Sequence, residues 1–109
     1  METNLQTTIL NNLVHNESFC RKALPHIKPE YFEGAGRLTY DLILDFITKY
    51  NKLPNHTSLG IELEQSTEGT PSARIEATEV IENLSVVEKV EESWLLDVTE
   101  KWCKERAVT

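Results

Sequence analysis

Apolar side chains along this chain recur three and four residues apart, the spacing that lines one face of a helix. Leu5, Ile9, Leu10, Leu13 and Val14 predict a first helix over 4–14, with Thr3 and Gln6 at capping-box spacing. Asn16 is placed to cap a short second helix carrying Phe19, Cys20, Ala23 and Leu24, which Pro25 stops. Lys28-Pro29-Glu30-Tyr31-Phe32 predicts one helical turn with proline in a first position, and Gly34-Ala35-Gly36 predicts a break after it. Tyr31 and Phe32 are expected to anchor that turn on the core.

The segment 37–51 carries the strongest pattern. Leu38, Tyr40, Leu42, Ile43, Leu44, Phe46, Ile47 and Tyr50 cover roughly 240° of a helix at 100° per residue. Asp41, Asp45 and Thr48, with Lys49 on the flank, leave a narrow polar strip. Such a helix has neighbours on several sides. It is predicted to be the central post, with Leu38, Leu42, Phe46, Ile47 and Tyr50 in the core. Leu53-Pro54-Asn55 then turns the chain into a short helix with Leu59, Ile61 and Leu63, weakened by Gly60. The stretch 66–71, STEGTP, reads as a loop, with Thr70 as N-cap and Pro71 as first residue of the next helix. Ala73, Ala77, Val80, Ile81 and Leu84 carry that helix to about 84. Ser85-Val86-Val87 is too short to count as a strand.

The last segment, 90–108, is broader in its apolar face than one packing contact requires. Leu95, Val98 and Trp102 form a stripe that Trp94 extends on one side and Leu96 and Cys103 on the other, together roughly 200°. Asp97, Glu100, Lys101 and Lys104 fill the polar wedge. One tryptophan is expected to face the domain and the other to be left for a partner. No Gly or Asn follows Ala107 to stop the helix, so the pattern predicts its continuation beyond Thr109. The expected fold is all-α, a compact domain of about five to six helices around the central one.

Length and composition leave that picture intact: 109 residues can bury one core, and 39% hydrophobic with 27% charged residues suits a globular chain, not a disordered one. The opening METNLQTTIL lacks the basic and apolar regions of a signal peptide, and no apolar run is long enough for a membrane span. Cys20 and Cys103 are accordingly expected to be reduced core residues.

Charge changes the picture more. The net charge is −7, yet residues 1–54 hold six acidic and six basic side chains and are neutral. Residues 55–109 hold twelve acidic and five basic ones, and so carry the whole imbalance. Phosphate binding draws its free energy from Lys and Arg, so little direct nucleic-acid binding is expected. An acidic face suits a basic protein partner better. No G-x-x-x-x-G-K-[ST] motif is present, and Gly34-Ala35-Gly36 lacks the lysine and hydroxyl that such a loop needs. His15, His26 and His56 have no ligand-type residue at metal-binding spacing, and no Ser or Cys has an identifiable base. The chain is expected to bind, not to catalyse, with no cofactor of its own.

The order of features resembles the N-terminal domain of the DnaB-like hexameric replicative helicases, T-even phage branch. Ile9-Leu10-Asn11-Asn12-Leu13, Phe19-Cys20-Arg21-Lys22, Ala23-Leu24-Pro25, Pro29-Glu30-Tyr31-Phe32-Glu33, Leu53-Pro54, Ser93-Trp94-Leu95-Leu96 and Lys104-Glu105-Arg106-Ala107 carry the resemblance in sequence order. The resemblance implies a globular subdomain over 1–89 and the start of a truncated helical hairpin over 90–109. It implies a collar on a motor ring that pairs with its own copies through hairpins and couples to primase, in the cytoplasm of a phage-infected host. Trp94, Leu95, Val98 and Trp102 are then the candidate protein interface. ATP, Mg and DNA unwinding would belong to a motor domain absent from this chain. Two rival readings are the helicase-binding domain of a primase and a standalone phage adaptor or inhibitor.

Overall fold

The computed structural model describes residues 2–87 and 89–107, with side chains from Leu5 onward. The described residues form six α-helices: α1 Glu2–His15, α2 Glu17–Ala23, α3 Gly34–Tyr50, α4 His56–Gln65, α5 Pro71–Asn83 and α6 Glu92–Ala107. Two 3-10 turns, Leu24–His26 and Pro29–Tyr31, link α2 to α3, and no strand occurs among the described residues. The side chain of Thr3, invoked as a cap, and the continuation past Ala107 both lie outside the described residues.

Local chemistry sets the boundaries. The Asn16 side chain accepts the Phe19 N–H at 3.0 Å and starts α2. Asn55 and Ser58 exchange side-chain and backbone hydrogen bonds in a reciprocal capping box, which starts α4 after the Leu53-Pro54 turn. Thr70 accepts from Ala73 N–H, with Pro71 in the first turn of α5. Arg74 closes the other end of that loop, donating to the carbonyls of Leu63 at 2.7 Å and Glu68 at 2.8 Å. The loop is therefore bolted to both helices it joins.

The Pro29–Tyr31 turn ends at extended Phe32 and Glu33, but α3 then starts at Gly34, not at 37 as expected, and runs through Ala35 and Gly36. Gly34 takes φ +55°, where a side chain would be strained, so the chain turns there and enters the helix at once. Gly36 serves close approach instead: a Cβ on it would lie 3.2 Å from Gln6 Oε1 and 3.5 Å from the Phe32 ring.

Helix α3 occupies the centre, with α1, α4, α5 and the Pro29–Tyr31 turn all packed on it. Leu38 and Leu42 are buried, and so are Thr39, Tyr40 and Ile43, which have no exposed surface. Thr39 satisfies its hydroxyl on the Ala35 carbonyl one turn back, at 2.8 Å. The expected core membership of Tyr50 and Phe46 is corrected: Tyr50 is 48% exposed, Phe46 is half-buried outside the core, and their rings pack on each other at 4.7 Å. Both lie on the correct face but near the C-terminal end of α3, past the helices that cover Leu38 to Ile43. Ile47 is half-buried against the core edge.

The two halves of the chain are tied by polar groups as well as by packing. Asn11 Nδ2 of α1 donates to the Val86 carbonyl at 2.6 Å, and the His15 imidazole donates from Nε2 to the Leu84 carbonyl. These bonds hold the turn after α5 against the first helix.

Candidate interaction surface

Helix α6 carries the candidate residues, and its orientation follows from what it meets. Leu95, Thr99, Trp102 and Cys103 are its buried face. Trp102, 2% exposed, enters an aromatic cluster: its ring lies 5.0 Å from Phe32 and 6.1 Å from Tyr31, the latter edge-on. Phe32 in turn stacks on Tyr40 at 5.0 Å, whose hydroxyl donates to the Ile27 carbonyl at 2.8 Å. The Arg106 guanidinium lies 4.8 Å above the Trp102 ring, a cation–π contact. Burial pushes the Tyr40 hydroxyl and the Cys20 and Cys103 thiols to higher pKa, so both cysteines stay protonated and weakly reactive.

The four predicted interface residues therefore separate. Leu95 and Trp102 are corrected from interface to core: both are buried in the hydrophobic core, Trp102 within the aromatic cluster. Val98 is half-buried at the core edge, and Trp94 is 50% exposed in the first turn of α6. Trp94 is off the buried arc because it precedes Leu95 by one residue, about 100° of rotation. A groove of about 640 Å³ runs between α2 and α6, lined in part by Lys22, Tyr31, Leu96, Thr99 and Cys103. The Thr99 hydroxyl and Trp102 indole N–H are buried without a hydrogen-bond partner among the described residues.

The start of α6 is held electrostatically. Lys22 Nζ and Ser18 Oγ each donate to Glu92 Oε2 at 3.0 Å. Those hydrogen bonds, Lys22 first, hold the Glu92 carboxyl below its ordinary value of 4.5. A carboxyl with depressed folded-state pKa stabilises above its unfolded value and loses that contribution as pH falls through its folded value. The contact between α2 and the start of α6 is thus expected to loosen in acid, below pH 4.5. Amide shifts of Ser18, Lys22 and Glu92 followed from neutral pH downward should titrate together, and Glu92→Gln should abolish that step. Identical titrations in both proteins would refute it.

Sequence reasoning counted Ile61 among the apolar residues of α4 and passed over Ile75; both are exposed, at 49% and 67%. The signal was available. On α4, Ile61 lies about 160° from Leu59, and on α5, Ile75 lies about 160° from Ala77, each on the outer side of its helix.

Gly34-Ala35-Gly36 opens α3 with Phe32 and Gln6 against Gly36, so this glycine pair forms no open phosphate cradle. No group of three or more His, Cys, Asp or Glu among the described residues is placed to hold a metal ion. No described helix is long and apolar enough to cross a membrane.

No family model matches the chain. It is 28% identical over 106 residues to a DnaB-like replicative helicase of Enterobacteria phage T4, an alignment covering 92% of this chain. The similarity is to a replicative helicase. The chain spans about a fifth, 21%, of the length of that relative.

Proposed function

We propose that this chain is a collar-type interaction domain of a phage replicative DNA helicase, working in the cytoplasm of the infected host. In this role it pairs with its own copies and presents a surface to primase. The observation that carries the reading is the alignment with the phage T4 helicase over 92% of the chain. Unwinding, ATP and magnesium would belong to the remainder of such a protein, since the matched region is 21% of the relative.

The chemistry of the chain supports a protein-facing role. Twelve acidic against five basic side chains over residues 55–109 repel a phosphate backbone and attract a basic protein surface. Trp94, exposed on a helix whose other face is anchored, gives subunit pairing a large apolar side chain.

Two measurements test the proposal. Sedimentation of the chain mixed with the primase encoded by the same genome should give a faster joint species. Independent sedimentation at tens of micromolar, roughly −6 to −7 kcal/mol of binding, would remove the primase coupling. Fluorescence anisotropy with labelled single-stranded DNA at physiological salt should show almost no binding. Tight binding that weakens steeply as salt rises would contradict the collar role.

A further inference from the structure

Helices α4 and α5 lie side by side and leave between them a groove of about 470 Å³. Its lining includes Gly60, Leu63 and Ile81, with the half-exposed Ile61 and the exposed Ile75 beside them. Glu64 and Glu82 also line it. The two helices together carry five glutamates, Glu62, Glu64, Glu76, Glu79 and Glu82, against the single cation Arg74. That guanidinium is engaged with the Leu63 and Glu68 carbonyls. Exposed isoleucines inside an acidic surround are a different thing from a uniformly solvated helix face.

Gly60 adds an independent observation. It sits inside α4, where glycine costs helix stability relative to alanine, and its backbone is not in the left-handed region. A Cβ built on it would meet nothing within 4 Å, so no packing within the chain requires the glycine. Its effect is to leave the groove lining open to close backbone approach from outside.

We propose that the α4–α5 groove docks an amphipathic helix of a partner protein, apolar on one face and flanked by lysine or arginine. The isoleucines take the apolar stripe, the glutamates pair with the flanking cations, and Gly60 lets the incoming helix lie close. The inference rests on α4 and α5 alone and stands independently of the helicase relationship. A second copy of this chain is a poorer occupant, because the same acidic surround would face itself.

The test is a heteronuclear NMR titration of the full chain with a synthetic helical peptide bearing leucines at i, i+3, i+4 and i+7 and lysines on both flanks. A control peptide carries glutamates in place of the lysines. Saturable shifts confined to residues 56–64 and 74–82 are expected with the lysine peptide and not with the control. Gly60→Ala should raise the urea midpoint yet weaken peptide binding severalfold. The double variant Ile61→Ser with Ile75→Ser should lose roughly tenfold or more. Absent binding, shifts spread over the acidic surface of α6, or equal affinity for the variants would overturn the proposal. Concentration-dependent shifts at these residues without peptide would assign the groove to a second copy and overturn it too.

Discussion

Replacing Trp102 by alanine is expected to lower the stability of the chain by about 3–5 kcal/mol. The same replacement at Trp94 should change it by no more than about 0.5 kcal/mol. The two residues share one helix and one chemistry, so the contrast isolates position. Trp102 fills the space between Phe32, Tyr31 and the Arg106 guanidinium, and its loss opens a cavity between α6 and the Pro29–Tyr31 turn with Phe32. Trp94 leaves half its surface in solvent and takes little packing with it. Urea unfolding followed by far-UV circular dichroism measures both. Because small domains have only about 5–15 kcal/mol in total, Trp102→Phe provides a milder variant with a measurable transition. Equal losses at the two positions would mean that α6 is not anchored through Trp102.

A second large effect is expected within α3. Ile43→Ala should cost about 2–5 kcal/mol, whereas Tyr50→Ala should cost under about 1 kcal/mol, although tyrosine is the larger side chain. Ile43 has no exposed surface and sits where α3 is enclosed by its neighbours. Tyr50 is 48% exposed; its ring packs on Phe46 at 4.7 Å and lies 5.7 Å from the Lys49 ammonium. Chemical denaturation of the two variants distinguishes them, and a greater loss at Tyr50 would place the core further along the helix than the structure does.

These two pairs also mark what sequence can convey about such a fold. Helical periodicity gives the azimuth of a side chain, and there it serves well: the α3 polar strip of Asp41, Asp45 and Thr48 and the capping of α2 by Asn16 follow from spacing alone. Periodicity carries no information on height along the axis. Phe46 and Tyr50 share the buried face of α3 yet lie beyond the helices that cover it. Gly34-Ala35-Gly36 misled for a related reason, since a glycine can begin a helix from a positive φ as readily as end one. At the candidate surface, the apolar stripe of α6 was legible, but which tryptophan it buried depended on Phe32 and Tyr31, about seventy residues away. Ile61 and Ile75 were legible as outward-facing from their own helices. Their convergence on one groove required knowing that α4 and α5 pack together.

The bonds from Asn11 and His15 to the turn at Leu84 and Val86 bear on the order in which the molecule is made. Helix α1 is synthesised before the turn whose carbonyls its Asn11 and His15 bond. At about 5–20 residues per second, the seventy-odd residues from His15 to Val86 take roughly 4–14 s to add. Throughout that interval the carbonyls that will receive Asn11 and His15 have not been made. These two bonds can therefore form only once α5 and the turn after it have been made, so the amino-terminal helix gains its polar anchors last.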